Sequence, residues 1–149
     1  MGKCLYGYDP TGEPNPSLKP LLRLSTKIVQ IKKLKRGDYV GYDATYKSTK
    51  NIQIAILPLG YNDGLDRRLS NKGVVQIDGV ECPIIGRISM NVTAIDISNV
   101  KNPFVSQEVI VFSEKAADKN SVLNASKDSE TIAYDLFVRL IPSTRREVV

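Results

Sequence analysis

Short runs of alternating apolar and polar residues, separated by glycines, dominate the chain from Leu21 to Phe112. A half-buried β-strand has this two-residue period, whereas a helix needs apolar residues three or four positions apart. The clearest example is residues 74–85, where two such runs flank Asp78-Gly79. This dipeptide favours a two-residue type I′ turn, so the segment predicts an antiparallel hairpin.

The same alternation predicts four further strands, at residues 22–28, 51–59, 92–97 and 109–112. After Ile28 the apolar phase shifts to Val29 and Ile31, which predicts a bulge or bend of the kind found at barrel corners. Many short strands with glycine turns are typical of a closed or nearly closed barrel. The sequence therefore predicts a mainly β fold, an antiparallel β-barrel-like domain.

Helical periodicity is confined to the C-terminal part of the chain. Residues 120–127 predict a short helix, and residues 129–140 predict a second one with Ile132, Leu136 and Leu140 on one face. Ser129 is of a type preferred at helix N-caps, so we expect it to cap the second helix. The fold class thus includes one or two short helices near the C-terminus.

Length and residue types exclude several function classes. The chain has 149 residues, and a (β/α)₈ barrel typically needs about 250. It contains no histidine, which removes Ser-His-Asp and Cys-His catalysis and His-ligated zinc. Cys4 and Cys82 lack CxxC spacing, so we expect no metal site and a reduced, cytoplasmic compartment. No apolar run approaches a membrane span of about 18 residues, so no membrane contact is expected.

The chain has a net charge of +5, and part of the positive charge lies in a basic run, Lys32-Lys33-Leu34-Lys35-Arg36. Such a run can contact the phosphate backbone of a nucleic acid. It is also typical of a solvated edge strand, where lysines discourage pairing with another sheet. The edge-strand interpretation is favoured because neither interleaved aromatics nor a recognition-helix pattern accompanies the run. A small basic β-barrel that binds nucleic acid remains the alternative.

Four motifs, taken in order, are more specific than the fold class. They are LYGY at residues 5–8, VGYDATY at 40–46, LGYNDG at 59–64 with RRLSN at 67–71, and PIIGRISM at 83–90. Together they resemble the C-terminal domain of alanine racemase, a family of pyridoxal-phosphate-dependent enzymes of fold type III. The resemblance covers nearly the whole chain, from Leu5 to about Arg146.

This resemblance implies an isomerase that interconverts L- and D-alanine for cell-wall peptidoglycan. The family's full enzyme has an N-terminal (β/α)₈ barrel that binds pyridoxal phosphate through a lysine. Two subunits pair head to tail as a homodimer, and each C-terminal domain completes its partner's site. The expected partners are therefore the barrel, a second subunit and alanine. Residues 1–20, rich in proline, are expected to be a linker or the tail of the barrel, and residues 21–149 the C-terminal β domain.

By motif match, the catalytic tyrosine of the family is Tyr46, the last residue of GYDATY. A phenol is a compact acid/base, but its pKa of about 10 has to be lowered by nearby positive charge or hydrogen bonding. In the family a barrel histidine supports this tyrosine, which is consistent with a chain that has none. The alternative for Tyr46 is an ordinary half-buried aromatic at a strand end; the motif context favours catalysis.

The same resemblance assigns two substrate-binding residues. Met90 matches a methionine whose backbone amide helps to hold the substrate carboxylate, although its side chain could equally fill the core. Tyr61 matches a tyrosine near the same carboxylate, and a turn-flanking aromatic is the alternative. For Arg67 and Arg68 we expect a structural or interface role rather than a phosphate clamp.

The chain also departs from the family. A cofactor-lysine motif of the type KANAYG is absent, so no cofactor-binding residue is assigned. The chain alone is expected to be inactive, whether it is an excised domain or the product of a split or decayed gene. Asn91 replaces an acidic residue that usually follows the methionine. Pro142 stands at about the place of a tyrosine that reaches the cofactor phosphate, and this contact is left unassigned. The equivalent domain of a related pyridoxal-phosphate racemase or decarboxylase is a further alternative.

Overall fold

The computed structural model describes Gly7, residues 17–142 and residues 144–147. Within them the strands are β1 (Leu24–Lys27), β2 (Gln30–Leu34), β3 (Tyr39–Val40), β4 (Tyr46–Lys47), β5 (Ile52–Leu57), β6 (Val74–Ile77), β7 (Val80–Ile85), β8 (Thr93–Asp96) and β9 (Glu108–Phe112). The helices are α1 (Val122–Asp128) and α2 (Ala133–Val138). Most of the LYGY motif and of the predicted linker at residues 1–20 lies outside the described residues.

Seven strands form one curled sheet in the order β1-β9-β6-β7-β8-β5-β2, and every pairing between them is antiparallel. The first and last strands of this order are consecutive in the chain. They are joined by Ile28, whose N–H donates to the Gln107 carbonyl at 3.0 Å, and Val29, whose N–H donates to the Ile56 carbonyl at 3.0 Å. The two ends of the sheet therefore meet at the predicted bend, and the mainly β, barrel-like fold class is confirmed.

The predicted hairpin at residues 74–85 is also confirmed. Asp78 and Gly79 both have positive φ, 50° and 78°, and Ile77 lies opposite Val80. Two consecutive left-handed residues define a type I′ turn, whose twist matches that of the flanking strands. The inward residues of these strands are buried, with Ile77 fully inaccessible to solvent.

The main hydrophobic core lies inside the curl and is closed on one side by the helices. Its fully buried members include Ile77, Ile95, Val109, Val122 and Leu136. Each aliphatic side chain of this size stabilises the fold by about 1.5–3 kcal/mol when it leaves water. Because the inward positions of the strands alternate with exposed ones, this core accounts for the two-residue period of the sequence.

The first helix begins after Ser121, whose hydroxyl accepts a hydrogen bond from the Asn124 N–H at 3.3 Å. Ser129 ends this helix, and its hydroxyl donates to the Ala125 carbonyl at 2.7 Å. The expectation that Ser129 caps the second helix is therefore wrong. Its hydroxyl adds a second hydrogen bond to the Ala125 carbonyl, which already accepts the Ser129 N–H at 3.0 Å.

The second helix is shorter than expected because the chain turns back at Glu130, where φ is 54°. Ile132 is the N-cap residue and is 57% exposed, so it does not share the buried face. Leu136 is fully buried and Leu140 packs against the core, as expected for that face. Two short helices near the C-terminus match the predicted class.

The basic run at residues 32–36 lies on and just after β2, the last strand of the sheet order. Lys32, Lys33, Lys35 and Arg36 are exposed, which agrees with the edge-strand interpretation. In the described part of the chain, neither helix has the length and apolar character needed to cross a lipid bilayer.

Candidate functional site

Tyr46 lies on the small hairpin formed by β3 and β4, opposite Val40. It is half-buried and packs against a second apolar cluster that contains Val40, Ile52, Ile54 and Ile85. This cluster is distinct from the main core and sits beneath the hairpin. The strand position therefore fixes the base of the tyrosine side chain on an apolar floor.

The connection between β3 and β4 has an uncommon backbone. It contains a 3₁₀ turn, Tyr42–Ala44, in which Asp43 and Ala44 have φ of 62° and 50°. Residues other than glycine adopt this left-handed region only at a cost, and such residues often occur at functional sites. The surroundings must therefore hold this segment in place.

Two glycines allow the connection to approach the rest of the domain closely. A Cβ on Gly86 would lie 2.7 Å from the Val40 carbonyl oxygen, and one on Gly41 would lie 2.6 Å from the Arg87 nitrogen. Neither distance is possible for a real side chain without movement of the backbone. The VGYDATY and PIIGRISM motifs are thus in direct backbone contact through these two positions.

Side chains add three polar contacts to this approach. Arg87 Nη1 donates to Asp43 Oδ2 at 2.6 Å, as an ion pair. Asn71 Oδ1 accepts the Gly86 N–H at 2.6 Å, while its Nδ2 lies 3.4 Å from Thr45 Oγ1. The RRLSN motif therefore lies between the other two motifs and contacts both of them.

Backbone hydrogen bonds bring Tyr61 and Met90 together. The Tyr61 N–H donates to the Ser89 carbonyl at 3.0 Å, and the Asn62 N–H donates to the Met90 carbonyl at 2.9 Å. Gly60 permits this contact, because a Cβ there would overlap with the Ser89 carbonyl oxygen. The segment Gly86–Met90 thus contacts the Tyr46 hairpin at one end and the Tyr61 turn at the other.

Both substrate-binding candidates are exposed on this side of the molecule. The Met90 side chain is 53% exposed, so it does not fill the core, and Tyr61 is 46% exposed. Among the described residues, no oxygen accepts a hydrogen bond from the Met90 N–H. That N–H is therefore a candidate donor to an oxygen of a ligand.

The two neighbouring arginines have structural contacts. The Arg67 guanidinium lies 5.8 Å from the centroid of the Tyr61 ring, a cation–π distance. Arg68 donates to both carboxylate oxygens of Asp66, at 3.0 and 2.6 Å, and to Asp135 at 3.1 Å. These contacts link the 3₁₀ turn Arg67–Leu69 to α2, and they agree with the structural role expected for the arginines.

The carboxylates in this cluster have depressed pKa values. Burial raises the pKa of Asp66, but hydrogen bonds from Arg68 and the charges of Arg68 and Arg139 outweigh it and leave the pKa below 3.8. Hydrogen bonds from Arg139 and Thr131 lower the pKa of Asp135. Both groups are therefore ionised near neutral pH. A depression of about 370 Å³ beside Tyr61 is bounded by Gly64, Leu65, Asp66, Arg67 and Arg139.

Other chemistry has little support in the described residues. Burial, with a smaller contribution from Asp96, raises the pKa of the Cys82 thiol to about 12, so this cysteine is neutral and inert. No group of three or more His, Cys, Asp or Glu side chains among the described residues is placed to hold a metal ion. Asn91 and Pro142 are exposed at the positions where the chain departs from the family motifs.

The sequence did not indicate the supporting residues Asp43, Asn71 and Arg87. Each is an ordinary polar residue whose partner lies 15 to 44 positions away. The only signal that could have found them is that all three stand inside the recognised motifs without an assigned role.

Comparisons with known proteins identify the family of the chain. The profile of the family "Alanine racemase, C-terminal domain" matches residues 21–148. The alanine racemase of Methylacidiphilum infernorum is 38% identical over 146 residues, which is 98% of this chain and 38% of that protein. The alanine racemase of Vesicomyosocius okutanii is 42% identical over 135 residues, which is 91% of this chain and 37% of that protein. The chain thus spans under two-fifths of the length of these curated relatives.

Solved structures show the same fold. The alanine racemase from Bartonella henselae, with covalently bound pyridoxal phosphate, superposes with a TM-score of 0.85 at 30% identity, covering 93% of this chain and 38% of that one. The biosynthetic alanine racemase from Pseudomonas aeruginosa gives 0.88 at 26% identity, covering 98% and 40%. Sequence profile, relatives and fold agree, and the chain belongs to the alanine racemase C-terminal domain family.

Proposed function

We propose that the chain is the C-terminal domain of an alanine racemase and that it supplies Tyr46 as an acid/base for the interconversion of L- and D-alanine. The observation that supports this most directly is the joining of three motifs by one segment. Gly86–Met90 contacts the Tyr46 hairpin through Gly86 and Arg87, and it contacts the Tyr61 turn through Ser89 and Met90. A racemase needs an acid/base at Cα and a contact that holds the substrate carboxylate, and these segments carry a candidate for each.

In this proposal the Tyr46 phenol moves one proton. In one direction its Oη–H bond breaks as a Cα–H bond forms on the substrate. In the other direction the phenolate oxygen removes the α-proton, and a base on the opposite face acts in the complementary sense. General acid–base catalysis of this kind contributes about 10²–10⁴-fold.

The substrate would be oriented by two further contacts. The Met90 N–H, which has no acceptor among the described residues, would donate to the substrate carboxylate. Tyr61 stands beside it because the two segments share backbone hydrogen bonds, and Arg67 lies over its ring. A carboxylate held by fixed donors keeps Cα at a constant position relative to the acid/base.

Pyridoxal phosphate belongs to this proposal through the family, and the electron sink that it supplies makes the α-proton acidic. A phosphate needs several N–H donors or free cations, whereas Arg68, Arg87 and Arg139 are paired with carboxylates. We therefore assign the cofactor to a barrel domain and derive no contact with it here.

Exposed apolar side chains around the site are suited to contact with another domain. Tyr39, Tyr42 and Met90 are 58%, 70% and 53% exposed around the site. Apolar side chains in such numbers are typical of a surface that another domain covers. We propose that a (β/α)₈ barrel and a second subunit in a head-to-tail homodimer cover it, and that the enzyme works in the cytoplasm to supply D-alanine for peptidoglycan.

The test is a chimera in which this chain replaces the matching segment of the Methylacidiphilum infernorum alanine racemase. With pyridoxal phosphate it should exchange L- and D-alanine, and Tyr46→Phe should lower kcat by at least ~10²-fold because the proton donor is lost. Tyr134→Phe is the matched control, since this tyrosine is 45% exposed on α2, and it should leave kcat unchanged.

Full activity of an assembled Tyr46→Phe chimera would contradict the catalytic assignment. Activity toward another amino acid with none toward alanine would instead favour a related racemase or decarboxylase. Dimer assembly is checked by sedimentation in both variants, so that a loss of activity is not confused with a loss of assembly.

A further inference from the structure

The Tyr46 hairpin has few means of its own to hold its shape. β3 and β4 pair two residues on each strand, Ser48 adds two backbone hydrogen bonds at the base, and Tyr39 and Tyr42 are exposed. The connection includes two residues other than glycine with left-handed φ, which favours relaxation to another conformation. An isolated two-stranded hairpin is at best marginally stable in water. Its conformation therefore depends on contacts from elsewhere in the chain.

Three side chains provide such contacts, and we name Asp43, Asn71 and Arg87 the loop clip. Asp43 pairs with Arg87 at 2.6 Å across 44 positions of sequence. Asn71 accepts from the Gly86 N–H at 2.6 Å and lies within 3.4 Å of Thr45, the residue before Tyr46. Asn71 itself has φ of 59°, a conformation that asparagine tolerates better than most residues.

The aspartate is an informative choice at its position. Glycine adopts a φ of 62° without strain, yet Asp43 occupies it and directs its carboxylate to Arg87. The ion pair is partly exposed, with 38% of the Arg87 side chain and 49% of the Asp43 side chain accessible to solvent. Its contribution to global stability is therefore small, and its effect is local to the connection.

We propose that the loop clip positions Tyr46. This inference rests on the proposed function, because it assigns a task to the tyrosine side chain. The clip residues do not touch the substrate in this scheme; they act through the connection that precedes Tyr46. They are positioning residues that fix where the phenol points.

The test uses the 149-residue chain labelled with ¹³C-tyrosine, with the Tyr46 ring signal identified by its loss in Tyr46→Phe. Asp43→Gly removes the carboxylate and relieves the backbone, so the fold should survive. We expect the Tyr46 ring signal to shift or broaden, and exchange of the Tyr46 amide hydrogen to become about threefold to fivefold faster. Asn71→Ala should have the larger effect, about tenfold, because two contacts are lost.

Conservative variants separate positioning from general destabilisation. Arg87→Lys keeps a single donor for Asp43 and should retain the parent spectrum, whereas Arg87→Ala should behave as Asp43→Gly does. Lys119→Met is the matched control, because it breaks an exposed ion pair with Glu81 of 2.7 Å elsewhere on the surface. It should leave the Tyr46 signals unchanged.

An unchanged Tyr46 signal and unchanged amide exchange in both Asp43→Gly and Arg87→Ala would overturn the proposal. In the chimera the same two variants should lower kcat with little change in KM. The spectroscopic result does not depend on activity. If the clip variants displace Tyr46 but the Tyr46→Phe chimera keeps full activity, the catalytic role of Tyr46 is rejected. The positioning role of the loop clip is then still supported.

Discussion

Two hairpins of this domain are built in opposite ways. The β6–β7 hairpin pairs four residues on each strand, turns through Asp78-Gly79 and buries Ile77 completely. The β3–β4 hairpin pairs two residues on each strand and connects them through residues 41–45, all of which are exposed. The first hairpin is specified by its own sequence, while the second depends on groups that are distant in the chain.

This difference separates stability from the proposed function within one small domain. The hairpin that is buried in the core carries none of the candidate site residues. The hairpin that carries Tyr46 rests on the smaller apolar cluster and on the loop clip. Residues that must meet a substrate cannot be covered by their own domain, so their order has to come from polar and steric contacts at the edge of the core.

The largest expected effect is a loss of stability caused by Ile77→Ala in the β6–β7 hairpin. This removes a fully buried side chain from the main core and should lower the free energy of unfolding by about 2–5 kcal/mol. Urea unfolding of the 149-residue chain measures it. Val29→Ala, at a side chain that is 50% exposed, should change the value by less than about 0.5 kcal/mol. Similar losses in both variants would contradict the placement of the core.

A smaller and more local effect is expected from Gly86→Ala. Its φ is 74° and its Cβ would lie 2.7 Å from the Val40 carbonyl oxygen, so the Tyr46 hairpin must move away at a cost of about 1–3 kcal/mol. Gly79→Ala is the matched control in the other hairpin, because its φ is 78° but nothing lies within 4 Å of its Cβ. The difference between the two unfolding free energies isolates the close approach. If Gly79→Ala costs as much as Gly86→Ala, the contact between the motifs contributes nothing.

The smallest effect is expected from lowering the pH, which should reduce the melting temperature through groups that lie in neither hairpin. The pKa values of Asp66 and Asp135 are lowered in the folded state, so their contribution is present above the unfolded value of 3.8 and is lost as pH falls through the folded values. The melting temperature should therefore decrease below about pH 4. Asp135→Asn should flatten this decrease, and Glu130→Gln, at a carboxylate that is 81% exposed, should not. If the melting temperature of Asp135→Asn decreases with acid as steeply as that of the parent chain, the contribution assigned to Asp135 is refuted.

Sequence reasoning succeeded where the determining residues are neighbours in the chain. The Asp78-Gly79 turn needs only two residues with positive φ, and the bend at Ile28–Val29 follows from a local shift in apolar phase. The contact between Gly41 and Gly86 could not be found in this way. Each glycine alone indicates a turn, and only the folded structure shows that they face each other.

The misassigned cap at Ser129 has a related cause. A serine before a helical pattern and a serine at the end of a helix have the same local sequence signature. Which of the two occurs depends on the partner of the hydroxyl, which is the Ala125 carbonyl here. The candidate site residues were found by resemblance to a family and not by pattern, because nothing in the composition distinguishes Tyr46 from the other tyrosines.

The pairing of β1 with β9 has a consequence for the order in which the protein is made. Arg23, just before β1, contacts Glu108 on the neighbouring strand β9, 85 positions later. A ribosome synthesises the chain from its N-terminus, so β1 emerges long before the strand that completes its hydrogen bonds. The curl cannot close until Phe112 has left the ribosome, because Leu24 pairs with that residue. The first strand of the sheet to be synthesised is among the last to be paired.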